Sequence, residues 1–115
     1  MPHCEIEYSE PLAAEVSPSK LLNAVLQGAV NSDLFETDDI KTRAIAFNHY
    51  LTGKTAQEFV HVTAKILSGR NVEQRSRLAQ SILSELNPLF LSPVSLTIEV
   101  VEMEKTSYAK VIKSI

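Results

Sequence analysis

The feature that most constrains this chain is an order of elements that occurs twice: a strand, an apolar-striped helix and a second strand. In residues 2–8, Cys4, Ile6 and Tyr8 share one parity while His3, Glu5 and Glu7 share the other. That alternation predicts a strand with one buried face. Ser17-Pro18 reads as a helix start, with Ser17 as N-cap and Pro18 at the first helical position. Leu22, Val25, Leu26 and Ala29 follow at helical spacing and form one apolar stripe. Asn31-Ser32-Asp33 are turn formers that end the helix. Residues 40–50 then alternate again, with Lys41, Arg43, Ile45, Phe47 and His49 on one parity. After a turn at Thr52-Gly53-Lys54, residues 59–67 give the clearest strand, with Val60, Val62, Ala64 and Ile66 on one face. Asn71 caps a second helix, and Gln74 three residues on completes a capping-box pattern. Ala79, Ile82, Leu83, Leu86 and Phe90 are its expected stripe, limited by Pro88 and Pro93. Residues 95–103 form a fourth strand, and residues 104–115 a less regular docking tail.

Each helix joins two strands by a crossover, which makes each strand pair parallel and right-handed. The expected fold is an α/β two-layer sandwich in one domain, 1–115. It is built from two β-α-β halves at about 2–50 and 57–103, with both helices on one face of a four-stranded sheet. The other face mixes Ile45, Phe47, Phe59 and Leu67 with Lys41, His61 and Lys65. A half-apolar bare face of this kind points to self-association.

Several function classes are excluded at this stage. A net charge of −3 is wrong for a phosphate-backbone binder, so no nucleic-acid partner is expected. No apolar run approaches membrane-spanning length, and the first residues have neither the basic start nor the apolar core of a signal peptide. The single cysteine, Cys4, cannot form an internal disulfide, which fits a reducing cytoplasm. His3, His49 and His61 are scattered singly, and three glycines build no phosphate loop, so neither a metal nor a cofactor is expected. A nucleophilic Cys4 paired with His3 or His61 is conceivable, but a cysteine inside a strand is more commonly a small core residue.

Pro2 is the sharper candidate for chemistry. Proline after an initiator methionine is common and by itself inert. Removal of Met1, however, frees a secondary amine on a nearly rigid ring. An α-amino group titrates near ~8. Burial and neighbouring cations disfavour its protonated form and lower that value, leaving a base able to take a proton and return it elsewhere. Lys41 and Arg43, two residues apart on one strand face, and Arg70, just past the third strand, are candidates to hold an anionic substrate. Taken singly, each reads first as a solvated surface charge; it is the three together that suit an anionic substrate. Arg75 and Arg77, inside the helix, read as surface charges.

With these residues in place, the sequence resembles a known family. The run from Pro2-His3-Cys4-Glu5 to Ser9 is similar to the start of the 5-carboxymethyl-2-hydroxymuconate isomerases of the tautomerase superfamily. Ile40-Lys41-Thr42-Arg43-Ala44 resembles their basic second-strand motif. Phe59-Val60-His61-Val62-Thr63, Lys65-Ile66 and Ser68-Gly69-Arg70 resemble their third strand and the turn after it, and Glu73-Gln74-Arg75 continues the match. The resemblance implies a homotrimer and an amino-terminal proline, here Pro2, as general base and acid. It places the family's basic positions on Lys41, Arg43 and Arg70. Lys41 stands where some relatives have arginine; lysine keeps the charge but loses the bidentate fork, which bears on substrate identity more than on fold. The implied reaction moves a proton within a conjugated hydroxymuconate carrying two or three carboxylates, without cofactor or metal, in the breakdown of homoprotocatechuate-type aromatic acids. Two other readings stay open. One is a related tautomerase acting on another α-keto acid or enol, such as phenylpyruvate. The other is a catalytically idle module whose oligomer surface binds a partner.

Overall fold

Both long helices start on the caps that their sequences encode. The computed structural model describes residues 1–114. Helix α1 (Pro18–Asn31) begins where Ser17 Oγ accepts the Lys20 N–H at 3.3 Å. Helix α2 (Val72–Leu86) begins on a reciprocal box: Asn71 Oδ1 accepts the Gln74 N–H at 2.8 Å, and Gln74 Oε1 accepts the Asn71 N–H at 2.9 Å. Satisfying the otherwise orphaned N–H groups fixes where each helix starts, and with it the direction in which the preceding chain arrives.

Four strands, β1 (His3–Ser9), β2 (Lys41–Phe47), β3 (Phe59–Leu67) and β4 (Ser95–Met103), form one sheet in the order β2-β1-β3-β4. β1 pairs parallel with β2, and β3 parallel with β4, as the two crossovers require. The halves join through an antiparallel β1–β3 pair in which Glu5 faces Thr63 and Glu7 faces His61. Both helices cover one face. Cys4, Ile6, Val60, Val62, Ala64 and Ile66 from the sheet meet Leu21, Val25, Ala29, Leu78, Ile82 and Leu86 from the helices, all essentially inaccessible to solvent. Each large apolar side chain so buried contributes roughly 1.5–3 kcal/mol.

Three expectations about elements need correction. The second strand stops at Phe47, short of Tyr50. Its partner β1 ends at Ser9, where the chain tightens into a 3-10 turn over Glu10–Ala14 containing Pro11, so Asn48 to Tyr50 have no ladder to join. The stripe of α1 is rotated. Leu21, Ala24, Val25, Gly28 and Ala29 are buried, while Leu22 and Leu26 are only partly so. Gly28 explains this: a Cβ there would stand 2.6 Å from Ile82 Cα, so the two helices cross in close contact at a residue with no side chain. Ser81 Oγ donates to the Gly28 carbonyl at 2.7 Å and ties the crossing. In α2 the fully buried positions are Leu78, Ile82 and Leu86, and Phe90 lies beyond the helix, after a 3-10 turn over Asn87–Leu89.

The uncovered sheet face carries charge at its centre and apolar groups around it. Glu5 sits between Lys65 at 3.1 Å and Arg43 at 3.4 Å, and His61 bridges Glu99 at 2.6 Å and Thr97 at 2.7 Å. Ile45 and Val101 stand exposed beside them. After β4 the tail makes a 3-10 turn over Lys105–Ser107 and crosses to the start of β1.

Candidate active site

Pro2 lies at the entrance of β1 with its ring fully buried. Parallel pairing with β2 fixes it: the Lys41 N–H donates to the Pro2 carbonyl at 3.0 Å. Met1 continues the chain outward. Its amine donates to the Asp39 carbonyl at 2.9 Å and stands 3.9 Å from the Asp39 carboxylate. While Met1 is attached, the Pro2 nitrogen is a tertiary amide and cannot act as a base. Burial lowers the affinity of the Met1 amine for its proton. Lys110 and Lys41 act in the same direction, against Asp39.

Beside this entrance opens a cavity of about 810 Å³ lined by Met1, Leu34, Phe35, Arg70, Lys105 and Tyr108, among others. Arg70 reaches it because β3 ends at Leu67 and the capped start of α2 lies at Val72, which leaves a short, pinned connection. Its Nη2 donates to the Leu34 carbonyl at 2.7 Å, and its guanidinium lies 5.4 Å from the centre of the Phe35 ring. One donor and one face are used in holding the group still, and the remaining N–H groups are available to a ligand.

The tail supplies a hydrogen-bond chain that ends at Met1. Arg43 Nη1 lies 3.1 Å from His3 Nδ1, and His3 Nε2 lies 2.9 Å from Tyr108 Oη. A guanidinium only donates, so Nδ1 accepts and Nε2 carries the proton in this network; the tautomer is assigned from these partners. Burial and then Arg43 hold the His3 pKa below its usual value, in keeping with a neutral ring. Tyr108 Oη in turn donates to Met1 Sδ at 2.8 Å. Loss of Met1 therefore removes the acceptor of the Tyr108 hydroxyl.

Of the residues expected from sequence, Arg70 lines the cavity; Pro2 does not, and only its neighbour Met1 reaches it. Lys41 meets Pro2 through its backbone, while its exposed side chain turns to the Asp39 carbonyl at 3.4 Å. Arg43 stands on the uncovered sheet face against Glu5, and neither it nor Lys41 lines the cavity of its own chain. Cys4 is fully buried, and desolvation pushes its thiol up to about 11, which removes the nucleophile from the Cys–His alternative. Sequence reasoning missed Phe35, Asp39, Lys105 and Tyr108. The last two lie in a tail with no period to read, and only the proximity of chain ends reveals them. Among the described residues no cluster of three or more His, Cys, Asp or Glu is placed to hold a metal ion, and no helix is long and apolar enough to cross a membrane.

Residues 2–112 match the family model for 5-carboxymethyl-2-hydroxymuconate isomerase. No curated protein matches the chain. Among solved structures, a 5-carboxymethyl-2-hydroxymuconate isomerase from Deinococcus radiodurans R1 superposes with a TM-score of 0.80 at 24% identity, over 97% of this chain and 90% of that one. A 5-carboxymethyl-2-hydroxymuconate delta-isomerase gives 0.78 at 20% identity, over 96% and 88%. A symmetric trimer of fused wild-type 4-OT gives 0.75 at 14% identity, over 94% and 90%. At these identities the superpositions establish a shared tautomerase-like fold.

Proposed function

We propose that this chain, which belongs to the 5-carboxymethyl-2-hydroxymuconate isomerase family, is an isomerase that converts 5-carboxymethyl-2-hydroxymuconate, or a similar anionic dienol, to its unsaturated ketone. The observation that carries the reading is local. Met1, whose removal would free the Pro2 nitrogen, lines the same cavity as Arg70. The freed Pro2 amine takes the hydroxyl proton of the dienol; the electron pair moves along the conjugated chain; the prolinium returns a proton to carbon. The net change is a shifted proton and double bond, with nothing oxidised or reduced. Arg70 grips a carboxylate through its free N–H groups and stabilises the negative charge that develops on oxygen. The desolvation and cations that act on the Met1 amine would act on a Pro2 amine one residue further in.

Lys41 and Arg43 complete the substrate grip in an assembly. Both lie on the edge strand β2 and off their own chain's cavity; in the proposed assembly they serve the cavity of an adjacent copy. The assembly is a homotrimer formed through the uncovered, half-apolar sheet face; the fused 4-OT neighbour is described as a symmetric trimer. Light scattering at micromolar concentration is expected to give three times the chain mass; a monomer there contradicts this part of the reading. The family setting is catabolism of aromatic acids in the cytoplasm, where the unpaired thiol of Cys4 stays reduced. An ultraviolet assay over a panel of enols and dienols tests the substrate. Highest kcat/KM on the carboxylated muconate supports the proposal, and preference for the enol of phenylpyruvate moves the activity elsewhere in the superfamily.

A further inference from the structure

We infer that Lys105 is a specificity-determining residue of the cavity, holding a second carboxylate of the ligand while Arg70 holds the first. This rests on reading the cavity as the substrate site. Three cationic side chains line it, Arg70, Lys105 and Lys110, together with three carboxylates, Asp33, Glu36 and Asp39. Lys110 is already neutralised by Asp39 at 3.3 Å. Among the described residues, neither Arg70 nor Lys105 has a carboxylate within ion-pair distance. With no carboxylate paired to either, Arg70 and Lys105 can each take one carboxylate of a ligand, whereas Asp33 and Glu36 on the same lining leave no general excess of positive charge to attract anions at large.

The position of Lys105 is set by the fold. The Ser68 N–H donates to the Met103 carbonyl at 2.9 Å, which keeps the end of β4 beside the turn after β3. A 3-10 turn follows, closed by the Tyr108 N–H on the Lys105 carbonyl at 3.3 Å, and the Tyr108 hydroxyl anchors on His3. Lys105 Nζ then comes to 3.2 Å from where a Cβ on Gly69 would stand. Gly69 has φ +121, a conformation open to glycine, and its bare Cα leaves room for the ammonium next to Arg70. Sequence spacing pointed to Lys41 and Arg43 as companions of Arg70. Within one chain the companion in the cavity is Lys105.

The test is a pair of ligands that differ at one end: muconate, with a carboxylate at each end of a conjugated diene, and sorbate, with one carboxylate and a methyl group. Binding of each to the purified full chain is measured by titration calorimetry, without turnover. The parent protein is expected to bind muconate more tightly. Lys105→Ala should weaken muconate roughly tenfold or more, the scale of one charge-assisted hydrogen bond. It should leave sorbate unchanged, and Lys105→Arg should restore most of the difference. Lys113→Ala, an exposed tail lysine outside the cavity, is the control for general charge. The inference is overturned if the parent does not distinguish muconate from sorbate, if Lys105→Ala weakens both alike, or if it does no more than Lys113→Ala. If the muconate preference depends on Lys105 but no hydroxymuconate is isomerised, the two-carboxylate site stands and the proposed reaction falls.

Discussion

Pro2→Ala, with Met1 confirmed absent, should leave a folded chain whose isomerase turnover falls roughly 10²–10⁴-fold, the range contributed by a positioned general acid–base group. The substitution keeps a basic amine but makes it primary, free to rotate and differently placed. It should cost some stability, because the buried ring loses its packing, but not the fold, because the position precedes β1 and its anchor is the Pro2 carbonyl under the Lys41 N–H, which alanine retains. Far-ultraviolet circular dichroism checks the fold and steady-state kinetics check the rate. The pH profile gives a readout that misfolding would not. The working base is the neutral amine, so kcat/KM in the parent should rise with pH through a value below the ordinary α-amino value of ~8. Burial already lowers the neighbouring Met1 amine in that direction. Unchanged turnover in a correctly processed Pro2→Ala protein would remove Pro2 from the mechanism.

The second large effect is expected at Arg70. Arg70→Ala should lower kcat/KM on the carboxylated muconate tenfold or more, since losing a charged hydrogen-bond partner costs about 1.5–3 kcal/mol. Arg75→Ala and Arg77→Ala should cost much less. Arg75 is turned to Glu102 at 2.8 Å and Arg77 to the Ser32 carbonyl at 3.3 Å, and neither lines the cavity. Because Arg70→Ala also leaves the Leu34 carbonyl without its donor, a urea midpoint separates lost stability from lost binding. Arg70→Lys keeps the charge but not the planar stack on Phe35, so partial recovery is expected. Equal losses from all three arginines would mean that surface charge at large, not a defined site, attracts the substrate.

The fold was legible where local chemistry and burial agree. Ser17-Pro18 and the Asn71–Gln74 box mark their helices because the same side chains that favour those positions make the capping bonds. The alternation in β1 and β3 matched their burial because each has the helices on one side and none on the other. Gly28 misled the reading of α1: a stripe counted from large residues cannot register a contact made by the absence of one. The length of β2 depended on where β1 stops, which is a property of its partner. The place of Arg70 on the cavity lining was legible because a strand end and a cap bracket it. Lys105, Tyr108 and Asp39 were not, since each matters through a contact with residues distant along the chain.

The central claim is that the Pro2 nitrogen does the chemistry, and the state of Met1 tests it most directly. Protein that retains Met1, verified by intact mass, should show no isomerisation of 5-carboxymethyl-2-hydroxymuconate above background, because its Pro2 nitrogen is an amide. After treatment with a methionine aminopeptidase, and a mass confirming loss of that residue, the same preparation should become active. Equal activity before and after removal would contradict the account.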